Sequence, residues 1–302
     1  MSAQQPEHGQ AKLSIVQGSR GVKEKRFMCI FICVLTNFGL HSLLIMDATF
    51  SVYIGIDVGM GPKPVTFVAL DADQKAQAIG EGDIHDALAY AAGQSGRALV
   101  AVNAAARPNK GLLAREEIRR SLKTPPPKNK WHQLRLVEYE LLQAGIDVPE
   151  TPASPEKSLP WVRRGFTLVE RLESLGYQPY PSEEGPRQWL EMNADAAFWS
   201  LMGVTPLQAG TLEGRIQRQL VLEDEGLDVP DAMDFFEEIT RFRILKSILP
   251  IKNIFPQAEI NAWMAAHVAW LAANVPERTR KFGAAEEGVV FLPIKAQQVE
   301  ER

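Results

Sequence analysis

Tyr53-Ile54-Gly55-Ile56-Asp57-Val58-Gly59 is an apolar β-type run that carries one carboxylate two residues before its closing glycine. A strand buried on both faces needs apolar side chains throughout, and a carboxylate inside one is costly unless something pairs with it. Asp57 therefore stands either at a strand end with a hydrogen-bonded cap or at a site.

Working outward, Ser51 to Val58 reads as a first strand. Two glycines and two prolines in Gly59 to Pro64 make a turn, Val65 to Leu70 a second strand, and Lys75 to Ile79 a third. Short turns between consecutive strands favour antiparallel pairing. Asp83 is suited to N-cap a helix with Ile84, Ala87, Leu88 and Ala91 on one face. Ala98 to Val102 is a continuous apolar strand ending at Asn103, and a strand reached through a helix is expected to lie parallel to its partner.

The next stretch, about 104–165, reads as an insertion. It holds a helix over Gly111 to Lys123, a proline break, a helix over Trp131 to Ala144, and a proline-rich loop. Phe166 to Leu175 is an amphipathic helix and Tyr177 to Tyr180 a short edge strand. Trp189 to Gly203 reads as helical, which puts Glu191 at a helix start, where a carboxylate suits the dipole. Helices follow over Leu212 to Glu225, Ala232 to Leu249 and Ala258 to Asn274, and Val289 to Pro293 is a last strand.

Composition limits the partners. The 302 residues carry a net charge of −4 and only two cysteines, Cys29 and Cys33. Residues 1–45 hold five cations against two acids, so they are +3 and the rest of the chain is −7. An acidic body binds nucleic-acid backbone poorly, so contact with nucleic acid is expected only at a local site. A body without cysteine has no disulfide framework or thiolate metal site, which fits a reducing, cytoplasmic setting.

Residues 1–45 read as an extension to a domain over 46–302. Lys23 to Arg26 is followed by an apolar span over 27–46, interrupted by Thr36 and Asn37. A basic stretch before an apolar one has the pattern of a signal peptide or anchor, and ~20 residues suffice to cross a bilayer. Met46, just before the first strand, is an alternative initiator. A membrane partner is expected only if 27–46 is a genuine anchor.

Four stretches bring in a resemblance: Gly55 to Gly59; Val100-Ala101-Val102-Asn103-Ala104; Glu191 to Phe198 with Leu201 and Gly203; and Thr211 to Arg215 with Arg218. A late helix around Asn261-Ala262 adds to them. In order and spacing they resemble the family called domain of unknown function 429, expected to be nucleases of ribonuclease H-like fold. The resemblance spans about 51–293. It implies an α/β fold with three antiparallel strands followed by parallel strands, and helices on both faces. It also implies a metal-dependent phosphodiester hydrolase using Mg²⁺ or Mn²⁺. Two hard cations on carboxylate oxygens would activate water and stabilise the leaving oxygen.

On that likeness Asp57 and Glu191 are the catalytic carboxylates and metal ligands. Asn103 and Asn261 stand where the family pattern has Asp, so each keeps a carbonyl acceptor and loses a charge. Both are expected to line the site. Arg215 and Arg218, on one helix face, are expected to hold a phosphate, or else to pair with Glu213, Glu223 or Glu225. Glu183, Glu184 and Glu259 are further carboxylates that nothing in the sequence places at the site. His267, among apolar neighbours, reads as a core histidine, and Trp161, Trp189, Trp199, Trp263 and Trp270 as core or interface filler.

Two alternatives follow. With two expected carboxylates replaced by Asn, the chain reads as a non-catalytic protein that binds nucleic acid or protein. The Gly55 to Gly59 stretch also echoes the phosphate loop of actin-like nucleotide phosphatases, although their second phosphate motif is not evident.

Overall fold

A computed structural model describes residues 12–15, 50–59, 64–183 and 185–296. Expectations for 16–49, including the signal-like span, lie outside the described residues. Lys12–Ile15 (β1), within the expected extension, pairs antiparallel with a later strand.

The sheet is mixed, with nine strands among the described residues. Val52–Asp57 (β2), Val65–Leu70 (β3) and Ala76–Gly82 (β4) form an antiparallel run. Ile84–Ala92 (α1) then leads to Ala98–Asn103 (β5), which lies parallel to β2. Gln178–Pro179 (β6) pairs parallel with Arg187–Met192 (β7), and β7 lies parallel to β5. Thr279–Ala284 (β8) and Gly288–Pro293 (β9) close that side as an antiparallel hairpin on β7. Spatial order along the main path is β1-β4-β3-β2-β5-β7-β9-β8.

Strand alternation decides the layers. Val52, Ile54, Ile56 and Val58 join a core with Ala87, Leu88 and Ala91 of α1, and with Leu168, Val169 and Leu172 of Pro160–Ser174 (α4). Tyr53 points the other way, into a core with Gln257–Asn274 (α9). Gly55 and Asp57 share that second face. A Cβ on Gly55 would stand 2.0 Å from the Ala262 carbonyl oxygen and 2.2 Å from the Ala266 nitrogen, so only glycine lets α9 seat its backbone directly on the strand. The alanines of α9 meet that approach with small side chains, and the first turn of the helix comes to rest over the end of β2.

Four expectations are corrected. Glu191 lies in β7, and the helix follows it as Ala194–Met202 (α5), capped by the Asn193 side chain on the Ala196 N–H at 2.9 Å. Tertiary pairing with β5 overrides the helical pattern that an Ala-rich run suggests. Ala232 to Leu249 splits into Asp234–Glu238 (α7) and Arg241–Leu245 (α8), with β-branched Ile239 and Thr240 between them and the Thr240 hydroxyl capping α8. Gly111 to Lys123 keeps a helix only over Glu116–Ser121 (α2), and Trp131 to Ala144 keeps one over Leu136–Gln143 (α3). Strand β8 had no counterpart in the sequence reading. Leu212–Asp224 (α6) agrees with its expected span.

A buried acid helps tie the insertion to the sheet. Glu287, in the β8–β9 turn, accepts backbone N–H groups from Lys110 at 2.8 Å and from Leu112 and Leu136 at 2.9 Å each. Three donors satisfy a carboxylate that would otherwise be costly to bury.

No helix among the described residues is long and apolar enough to cross a membrane.

Candidate functional site

A cavity of about 250 Å³ opens where β2, β5 and β7 end. Carboxyl ends of parallel strands are the usual place for a ligand in open α/β sheets. Asp57, Asn103, Glu191 and Asn261 all line it, so the topology brings together four of the six expected site residues.

Asp57 is the buried centre. Asn103 donates its side-chain amide to Oδ1 at 2.6 Å, and Asn261 donates to the same oxygen at 3.3 Å. The Gly59 N–H reaches Oδ2 at 3.2 Å, and Gly59 sits at φ 66°, a left-handed turn that a side chain would strain. Burial pushes the Asp57 carboxyl above its ordinary range. The three donors pull it back in part, and the nearby negative charge of Asp195 pushes the same way as burial.

Asn103 cannot turn its carbonyl toward a ligand in this arrangement. Its Oδ1 accepts the Ala194 N–H at 2.8 Å, which fixes the amide with its nitrogen toward Asp57. It bridges the end of β2 to the start of α5. Asn261 differs, since its Oδ1 is buried without a hydrogen-bond partner. That orphan acceptor, with the spare lone pair of Asp57 Oδ2, is what the Asp57–Asn103–Asn261 group has left to receive something.

Glu191 is held elsewhere. Register pairs Asp57 with Asn103 and Asn103 with Met192, whereas Glu191 pairs with Val102. It stands one residue out of step, and alternation turns it away from Asp57. Arg135 meets it with both amino groups, Nη2 to Oε1 at 2.7 Å and Nη1 to Oε2 at 3.2 Å. The Ala106 N–H also reaches Oε2, at 3.0 Å. Arg135 is itself clamped by Glu138, Nε to Oε1 at 2.9 Å, and by the Glu287 carbonyl at 3.0 Å. Burial would lower the Arg135 pKa, but Glu191 and Glu138 outweigh it and raise the group above its ordinary value.

The two expected phosphate-binding arginines lie outside the cavity lining. Arg218 is buried and spans α6 to α5. It donates to Asp195 Oδ1 at 2.8 Å and to the Leu207 carbonyl at 2.6 Å, and so pairs with none of the three glutamates weighed in the sequence. Arg215 has a buried Nε without a partner. Glu183 is exposed, and Glu184 lies outside the described residues. Glu259 does not line the cavity. His267 is buried with both ring nitrogens engaged, Nδ1 to Gln74 at 2.7 Å and Nε2 to Glu225 at 3.1 Å, as a core histidine should be.

Sequence reasoning missed Arg135, Glu138 and Asp195, and it placed Trp161 as filler; all four line the cavity. The signal for the first pair was the i, i+3 spacing at a helix start. Asp195 lay inside the quoted Glu191 to Phe198 motif.

A pair of divalent ions does not fit this donor set. Of the acids around the cavity, Glu191 and Glu138 are committed to Arg135, and among the described residues no group of three or more His, Cys, Asp or Glu side chains is placed to share an ion. A single cation would find Asp57 and the Asn261 carbonyl oxygen. Compared with family models, with curated proteins and with solved structures, the chain matches none.

Proposed function

We propose that this is a ribonuclease H-like protein whose strand-end pocket binds a small, positively charged ligand and does not run two-metal hydrolysis. Support for the fold is the strand order: three antiparallel strands, a helix, then two strands parallel to the first. The observation that carries the function is the Arg135–Glu191 pair, which commits the second expected ligand to a guanidinium. Four acids, Asp57, Glu138, Glu191 and Asp195, line the cavity against two arginines: Arg135 pairs with Glu138 and Glu191, and Arg218 with Asp195, so among the described residues Asp57 is the one of the four without a cation. An anionic phosphodiester meets a negative field there, whereas an ammonium meets Asp57 and the free Asn261 oxygen. Trp161 and Leu141 supply apolar wall for a carbon skeleton.

Thermal-shift and calorimetric titration with a panel of small amines tests this reading. Saturable binding to the wild type that Asp57→Asn abolishes is expected. Cleavage of RNA or DNA by the wild type in Mg²⁺ or Mn²⁺, lost in Asp57→Asn, would overturn it.

The orphan Asn261 oxygen favours a second reading, a hydrolase that works with one ion. Mg²⁺ would then sit against Asp57 and Asn261, and would supply Lewis-acid polarisation of a phosphoryl oxygen. Asp57 and Asn261 would hold it, and Asn103 would keep Asp57 oriented. Competition between Mg²⁺ and the amines for one site separates the readings, because only the second also requires cleavage.

A further inference from the structure

We infer that the segment from Arg241 to Lys252 is a docking surface for an anionic lipid bilayer. Phe242, Ile244, Leu245, Ile248, Leu249 and Ile251 are 45 to 72% exposed, a density of bare apolar side chains that isolated surface residues do not reach. Arg241, Arg243, Lys246 and Lys252 are interleaved with them, and no Asp or Glu occurs from Ile239 to Pro256. The segment is therefore +4 on a chain of −4, so the remainder is −8.

The patch is presented from a fixed base. Phe235 and Ile254 are buried beneath it with Ile216 and Ala232. Gln219 of α6 donates to the Asn253 carbonyl at 2.7 Å and accepts the Phe255 N–H at 2.9 Å. Arg243 and Lys252 share Glu238, at 2.9 and 3.1 Å, while no ion pair among the described residues takes Arg241 or Lys246.

Charge selects the occupant. A symmetric pair of copies would bring two such patches together, each +3 once Glu238 is counted against the four cations, which like-charge repulsion disfavours. An anionic partner complements the patch. Nucleic acid offers that charge, but single strands are held by aromatic stacking, and five of the six exposed side chains are aliphatic. Aliphatic side chains among Lys and Arg suit the boundary between headgroups and acyl chains, where the cations meet phosphates and the apolar groups leave water.

Co-sedimentation of the full chain with vesicles tests this. Wild type should partition onto phosphatidylcholine–phosphatidylglycerol vesicles and stay free of pure phosphatidylcholine, with binding weakened by salt. Arg241→Glu with Lys246→Glu should reduce partitioning by at least about tenfold, since each cation near such a surface contributes about fivefold. Phe242→Ser with Leu245→Ser should reduce it similarly. Circular dichroism confirms that each variant is folded, and Lys246→Glu alone serves should a double variant unfold. Equal partitioning of wild type and folded variants would overturn the inference. So would binding of the same residues to single-stranded RNA instead of vesicles, or a dimer that the apolar substitutions dissociate.

Discussion

Asn103 joins Asp57 to the first turn of α5: its amide nitrogen donates to Asp57 Oδ1 at 2.6 Å while its carbonyl oxygen accepts the Ala194 N–H at 2.8 Å. An aspartate in that position would still accept from Ala194, but it would set a second carboxylate against Asp57. Asn103→Asp should therefore destabilise the protein at neutral pH by about 1–3 kcal/mol, since the buried acceptor loses its donor and gains a like charge. Combined with Asn261→Asp it should raise Mn²⁺ affinity, because the ion relieves the repulsion it has created. Calorimetric titration and urea unfolding with and without Mn²⁺ check both parts. Unchanged affinity would mean that these positions are not around an ion site.

Removing Arg135 should be more damaging. Arg135→Met leaves Glu138 and Glu191 buried without their shared cation, and a broken buried pair costs about 3–5 kcal/mol. Replacing all three by apolar residues should cost far less, because no charge is then stranded. Denaturant unfolding of the single and triple variants distinguishes the two situations.

Asp57 carries a pH signature. Its folded-state pKa is raised above the ordinary carboxylate value, mainly by burial. The native state therefore holds the extra proton, and the contribution of Asp57 to stability falls as pH rises from the ordinary value through the raised one. At pH above that window Asp57→Asn should be more stable than wild type by about 1 kcal/mol, as at other sites where a buried charge serves a function. Below it, the advantage should shrink toward zero. Unfolding midpoints of the two proteins across acid to neutral pH provide the check.

Gly55 is a test of the fold itself. Gly55→Ala would drive a methyl group into the backbone of α9 at Ala262 and Ala266, and should cost about 3 kcal/mol through overpacking. Ala266→Gly, which frees no backbone atom, should not rescue it.

What the sequence made legible follows from which interactions are local. Apolar runs and turn residues are enough to place β2 to β5 and α1, and the strand-end carboxylate by itself marks where a site would lie. Asn103 and Asn261 are named through the resemblance, as positions where the family pattern has Asp, and both hydrogen-bond Asp57. Glu191 was misread because a one-residue register difference, set by pairing with β5, is invisible in an Ala-rich motif that could begin a helix. Arg135 was missed for a related reason: the carboxylate it grips is 56 positions away, and only the insertion folding back over β7 brings them together. Splitting of the 232–249 helix has one local cause, the Thr240 cap on the Arg243 N–H, and one tertiary cause, the burial of Phe235 with Ile254, which only the folded chain shows.

The central claim is that Arg135 takes Glu191 out of any ion site. A crystal soaked in Mn²⁺ and examined by anomalous scattering tests it most directly. The account predicts at most one ion, against Asp57 and Asn261, with the Arg135–Glu191 pair intact. Two ions separated by about 3.5–4 Å, with Glu191 turned from Arg135 to coordinate one of them, would contradict it.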